Sequence, residues 1–269
     1  MENYAPIGVL DSGVGGLTVL KVLLSLMPHE HFIYLGDTAR APFGTRSEAE
    51  IRQIANEMLD FYQERGVKQV IVACNTLTML DVNTLQAGRP FQIIGVSHVV
   101  ALLLKFSKKK RIGIMATPFT INSEVHKKEI LSYDPEVKVC GVACPKLVKL
   151  VEQEQFNTLE MEAVIREYTE PLKKADVDVV ALSCTHFPFV KKEIEKALGP
   201  DVLVIDPAGR TAANAHIQLH MRNVANHQDK GGAEIYFTAN LERAKSLAKR
   251  MLPMDKCKFE LVDLHSPIK

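Results

Sequence analysis

No apolar run in this chain of 269 residues is long enough to cross a bilayer. The longest, such as Val99-Val-Ala-Leu-Leu-Leu104, fall far short of the ~20 residues a membrane helix needs. No secretory signal is read in it either. Charge of one sign is also missing. The net charge of +1 gives no global field to draw nucleic acid or an acidic surface. The short basic run Lys108-Lys-Lys-Arg111 precedes a strand and reads as a solvated turn. Cysteine is scarce: five, an odd number, widely scattered. That excludes the disulfide framework of a small secreted domain and points to free thiols in a reducing cytoplasm. Cys140 and Cys144 have neither zinc-knuckle nor thioredoxin spacing, and no second pair accompanies them, so no metal site is expected. They and Cys257 read as buried or partly buried structural residues. What remains is the composition of an ordinary globular protein, 46% hydrophobic and 24% charged.

The chain is organised around Val70-Ile-Val-Ala-Cys-Asn-Thr76, which recurs as Val179-Val-Ala-Leu-Ser-Cys-Thr-His186. Each copy is a short β-branched run, a buried strand by its pattern, ending in a cysteine before a hydroxyl or amide residue. At a strand-to-helix turn such a cysteine would lie near free N–H groups and the positive end of a helix dipole, which favours the thiolate. The two cysteines stand 110 residues apart. Ile7-Gly-Val-Leu10 and Ile112-Gly-Ile-Met115 repeat at an offset of 105, and Ile93-Ile-Gly-Val-Ser97 and Leu203-Val-Ile-Asp-Pro207 at 110. That period is too long for a solenoid and implies two domain-sized halves, each presenting one cysteine.

Strands alternate with helices throughout, which implies parallel sheets covered on both faces. The expected fold is α/β: two similar domains with mainly parallel sheets flanked by helices, pseudo-symmetric about an interdomain cleft. Residues 1–97 plus 208–269 would form the first domain and residues 98–207 the second. Specific expectations include a capping box at Ser47 and Glu50, one helix over Thr78–Gln86, and a strand near Val137–Gly141. The glycine-rich turn Asp11-Ser-Gly-Val-Gly-Gly16 follows the first strand. It is neither a dinucleotide fingerprint nor a P-loop, yet Asp11 and Ser12 stand at a strand's carboxyl end, where ligands of open α/β sheets gather.

From the residues alone, the sharpest reading is a pair of thiol acid–base groups flanking a small anion, with donors from Asn75, Thr76, Thr185 and His186. Against it stand two small core cysteines and a redox dithiol, whose partners would usually lie two residues apart. The repeated placement favours chemistry.

Several motifs together resemble the glutamate racemases of the cofactor-independent amino-acid racemase superfamily. They are Ile7-Gly-Val-Leu-Asp-Ser-Gly-Val-Gly-Gly16, Gly36-Asp-Thr38 with Pro42-Phe-Gly44, Ala73-Cys-Asn-Thr76, Leu182-Ser-Cys-Thr-His186 with Pro188, and Asp206-Pro-Ala-Gly209. The resemblance implies interconversion of L- and D-glutamate for peptidoglycan, in the cytoplasm, without pyridoxal phosphate or metal. It implies Cys184 and Cys74 as the two bases, with Asp11, His186 and Glu152 assisting. Asp11, Ser12, Phe43, Gly44, Asn75, Thr76, Thr185 and His186 would line the substrate site. It implies a homodimer; the balanced charge and the short apolar runs give no expectation of a nucleic-acid or membrane partner. Phe43 stands where the family usually has tyrosine, and Lys149 where it usually has proline. The alternatives are a sister enzyme acting on aspartate or a hydantoin, a non-catalytic small-anion binder, and a pyridoxal-dependent enzyme.

Overall fold

A computed structural model describes residues 4–227 and 231–264. Its strands are β1 (Ile7–Asp11), β2 (His31–Gly36), β3 (Gln69–Val72), β4 (Gln92–Gly95), β5 (Arg111–Ala116), β6 (Lys138–Ala143), β7 (Val179–Ser183), β8 (Leu203–Ile205), β9 (Gly232–Phe237) and β10 (Cys257–Leu261). The helices up to the middle of the chain are α1 (Leu17–Leu26), α2 (Glu48–Glu64), α3 (Asn75–Thr78), α4 (Val82–Gln86), α5 (Val100–Phe106) and α6 (Pro118–Asn122). Beyond them come α7 (Val125–Tyr133), α8 (Pro145–Glu152), α9 (Leu159–Lys174), α10 (Lys191–Leu198), α11 (Ala208–Met221) and α12 (Leu241–Lys249). The strands form two sheets, in the orders β10-β9-β2-β1-β3-β4 and β6-β5-β7-β8. All their pairings among the described residues are parallel, as the alternation of strand and helix implies. No helix among the described residues is long and apolar enough to cross a membrane.

The chain divides into two compact units, Met1–Val96 with Ala208–Lys269, and Ser97–Pro207. Each contains the same core topology. β2-β1-β3-β4 in the first and β6-β5-β7-β8 in the second both run second, first, third, fourth in chain order. Even a packing detail repeats. A side chain at Gly8 would meet the Tyr62 ring of α2 at 2.7 Å, and one at Gly113 would meet Leu172 of α9 at 2.8 Å. In both units a side chain of a covering helix packs onto the first strand at a glycine, and an added Cβ would force it to shift.

The second sheet shows why Val179-Val-Ala-Leu182, in the strand of the second cysteine run, is apolar at every position. Val180, Leu182 and Cys184 enter one core cluster with Leu147, Val151 and Phe187. Val179 and Ala181 enter another with Ile112, Leu103 and Ile130. Successive residues of a strand point to opposite faces, and here both faces are covered.

The capping box at Ser47 and Glu50 starts α2 as expected. The single helix expected over Thr78–Gln86 is instead α3 and α4. Asp81 interrupts it because its carboxylate accepts from Asn83 N at 3.0 Å and Thr84 Oγ1 at 2.8 Å, capping a new helix. β6 begins at Lys138 and runs to Ala143, displaced from the expected strand.

Candidate active site

Within each sheet the strand order reverses between the first and third strands. Their connections leave to opposite sides, which opens a crevice at the carboxyl ends where ligands of doubly wound sheets bind. β1 and β3 are paired through Leu10 and Val72, and β5 and β7 through Ala116 and Ser183. Cys74 and Cys184 therefore occupy the same topological point of their respective units, just past the third strand.

In the first unit Asp11, Ser12, Cys74, Asn75 and Thr76 are all buried. The Cys74 thiol donates to Ser12 Oγ at 3.7 Å. Gly13 N donates to Asp11 Oδ1 at 2.8 Å, so the glycine-rich turn holds its own carboxylate. Both polar atoms of the Asn75 amide are buried with no hydrogen-bond partner. Such a group is costly to keep and requires an explanation. Phe43 and Gly44 are buried in a short turn, Phe43–Thr45, that contacts α3.

In the second unit Cys184, Thr185 and His186 are buried. Cys184 Sγ lies 3.8 Å from His186 Nδ1, and His186 Nε2 lies 2.7 Å from Glu152 Oε1, at the end of α8. Burial opposes charge on His186. The hydrogen bonds and charges of Cys184 and Glu152 outweigh it, and the imidazole pKa stands well above the usual histidine value. The protonated ring can donate to sulfur from one nitrogen and to carboxylate from the other, an arrangement suited to a thiolate–imidazolium pair. The two thiols thus have unlike neighbours, a hydroxyl beside Cys74 and a histidine–glutamate pair beside Cys184.

The helix start expected after each cysteine is present at Cys74, which is the N-cap of α3, but a regular helix does not follow Cys184 directly. α3, after Cys74, has only four residues. After Cys184 the chain makes a short 3₁₀ turn, Phe187–Val190, and α10 starts only at Lys191.

The remaining cysteines lie elsewhere. Burial raises all three thiols, Cys257 to about 11 and Cys140 and Cys144 above their ordinary value, so they stay neutral near pH 7. Among the described residues no three His, Cys, Asp or Glu side chains are grouped to hold a metal ion.

Sequence reading assigned no role to Ser183, Thr117 or His126. Thr117 follows β5 as Ser12 follows β1, and extending the offset of 105 by a few residues would have reached it. His126 has no such signal. It reaches β7 only through tertiary folding, where its Nε2 pairs with Ser183 Oγ at 3.0 Å. Burial, with nearby His98 adding to it, pushes His126 down to about 3. Unfolded histidine titrates at its ordinary 6.5, so below that pH the unfolded chain binds a proton that the folded chain refuses. The stabilisation is complete above the unfolded value and is lost as pH falls toward the folded one. Between about pH 7 and pH 5 the expected loss is about 2 kcal/mol. Urea denaturation at both pH values checks this: the stability of His126→Gln should fall by about 2 kcal/mol less than that of the wild type. Equal falls would show that His126 is not held neutral.

The fold and the crevices define a doubly wound α/β protein that presents a buried cysteine at the switch point of each of two repeated sheets. The Asp/Glu/Hydantoin racemase model matches residues 8–215. The glutamate racemase of Lactobacillus helveticus is 37% identical over 254 residues, 94% of either chain. That of Lactiplantibacillus plantarum is 35% identical, covering 99% of this chain and 98% of its own. Among solved structures, glutamate racemase isoform RacE1 from Bacillus anthracis superimposes with a TM-score of 0.90 at 32% identity, covering 98% of this chain and 99% of that one. The Francisella tularensis glutamate racemase, solved with D-glutamate, gives 0.88 at 31% identity, with the same coverage. The chain belongs to the Asp/Glu/Hydantoin racemase family. By class it is an amino-acid racemase, an isomerase.

Proposed function

We propose that this protein interconverts L- and D-glutamate by a two-base cysteine mechanism that uses neither pyridoxal phosphate nor metal. The observation that carries the reading is the equivalence of Cys74 and Cys184, each just past the third strand of the same four-strand order. The Cys184 thiolate takes the α-proton of L-glutamate, giving a thiol and a carbanion. The Cys74 thiol then gives its proton to the opposite face and becomes the thiolate. D-Glutamate runs the sequence in reverse. The α-hydrogen is very weakly acidic, so the thiolate must act where water is excluded, and both sulfurs are buried.

His186 stabilises the Cys184 thiolate and Glu152 orients the imidazole, while Asp11 assists Cys74. Ser12, Phe43, Gly44, Asn75, Thr76 and Thr185 line the substrate. The unpartnered Asn75 amide supports this role, since a substrate carboxylate or ammonium would satisfy it. Glutamate is preferred over aspartate or a hydantoin because the full-length relatives above are glutamate racemases. The physiological role we assign is supply of D-glutamate for peptidoglycan, in the cytoplasm, by a homodimer whose subunits each comprise two domains.

Circular dichroism with purified protein and no added cofactor tests the activity. The signal of either glutamate enantiomer should decay to zero, and in D₂O the product should carry deuterium at the α-carbon. Decay with aspartate or a hydantoin but not with glutamate would establish the sister activity. Thermal stabilisation by glutamate with no decay would make the protein a binder.

A further inference from the structure

We propose that His126 is a positioning residue for Cys184, acting through the hydroxyl of Ser183. The inference rests on the reading of Cys184 as the base for L-glutamate. Ser183 ends β7 and is joined to Cys184 by one peptide bond, so whatever fixes Ser183 fixes the direction in which the thiol leaves the strand. The Ser183 hydroxyl and His126 Nε2 hydrogen-bond at 3.0 Å, and both side chains are buried. His126 lies in the first turn of α7. The bond therefore ties that helix to the residue before the sulfur.

The histidine is itself held from behind. The His98 ring packs on it with centroids 4.6 Å apart at an interplanar angle of 42°. His98 Nδ1 is bonded to the carboxylate of Glu129, one turn further along α7. Glu129, His98, His126 and Ser183 thus form a continuous series of contacts that stops one residue short of Cys184. Simple filling of space would need no nitrogen at this position. Burial keeps the imidazole neutral, so Nε2 remains a constant partner for the hydroxyl. A thiolate that abstracts a proton from carbon is sensitive to small displacements, because misplacing a reacting group by about 1 Å can cost about 10²-fold in rate.

The test uses His126→Met, Ser183→Ala, the double variant, and His126→Gln, whose amide nitrogen can replace Nε2. The equilibrium constant of a racemisation is one, so kcat/KM must change equally in both directions. Loss of this buried hydrogen bond should lower it about tenfold in His126→Met and Ser183→Ala alike. The double variant should be no worse than either single one, because both break the same bond. His126→Gln should recover most of the loss.

Isotope effects separate positioning from mere folding. With the Cys184 step slowed, the effect of an α-deuterium should grow for L-glutamate as substrate and shrink for D-glutamate. A smaller folded fraction would leave both at wild-type values. Wild-type kcat/KM in Ser183→Ala, reduced activity with unchanged isotope effects, or a glutamine variant no better than methionine would each overturn the proposal. Failure of the underlying reading would look different: Cys184→Ala itself would still racemise glutamate.

Discussion

Cys184→Ala should lose at least about 10³-fold of its racemisation activity in both directions, and Cys74→Ala should lose a similar amount. Inversion needs a proton removed from one face of the α-carbon and another delivered to the opposite face, so neither sulfur can cover for the other. The two variants should nevertheless differ in what they retain. In Cys184→Ala the Cys74 thiolate can still take the α-proton of D-glutamate, exchange it with solvent and return it to the same face. D-Glutamate should therefore acquire deuterium in D₂O without inverting, while L-glutamate should not exchange. Cys74→Ala should show the opposite pattern. Proton NMR of the α-position follows both exchanges, with circular dichroism reporting inversion. Racemisation at wild-type rate by either variant would remove the two-thiol mechanism. Exchange of the wrong enantiomer would keep two bases but reverse their assignment. His186 and Glu152 adjoin Cys184, whereas the Cys74 thiol donates to Ser12. His186→Asn should accordingly weaken L-glutamate exchange in a Cys74→Ala background and leave D-glutamate exchange in a Cys184→Ala background unchanged.

The parts of this site that could be read from sequence are those encoded by local pattern. The run Val179-Val-Ala-Leu182 is apolar at every position because both faces of β7 are covered, and this made it legible as a buried strand. The recurrence of the cysteine run at 110 residues corresponds to the third strand of a repeated four-strand order. Ser47 and Glu50 announced α2 through a capping box that is complete in the fold. The failures have equally specific causes. Asp81 competes for backbone hydrogen bonds and splits one expected helix into two. A 3₁₀ turn, Phe187–Val190, separates Cys184 from α10, so the regular helix expected at that cysteine starts only at Lys191. The His126–Ser183 contact joins residues 57 apart and leaves no periodic trace in the chain. The pairing of Glu152 with His186 became legible through resemblance to a family, because nothing local to Leu150-Val-Glu152 points toward a histidine 34 residues later.

Lys68→Met should destabilise the protein by about 3–5 kcal/mol, the usual cost of leaving a buried charge without its partner. The Lys68 ammonium lies 2.7 Å from Glu30 Oε2, with side-chain exposures of 0% and 3%. It also donates to Val224 O at 2.8 Å. Glu30 Oε1 accepts from Asn226 N at 2.8 Å, and Arg222 Nη1 donates to Lys68 O at 3.2 Å. The segment after α11 is thereby tied to the start of β3, the strand that leads to Cys74. Burial lowers the Lys68 pKa while the bond and charge of Glu30 oppose that fall, so the ammonium depends on the carboxylate for its charge. Two buried charges gain little over a neutral pair of similar size, whereas one alone is costly. Lys68→Met combined with Glu30→Gln should therefore recover more than half of the loss. The glutamine oxygen can still accept from Asn226, and no unpaired charge remains. Urea unfolding followed by far-ultraviolet circular dichroism measures both variants. A Lys68→Met loss below about 1 kcal/mol would mean that water reaches the carboxylate. A double variant as unstable as the single would mean that the lost contact to Val224, not the unpaired Glu30, carries the cost.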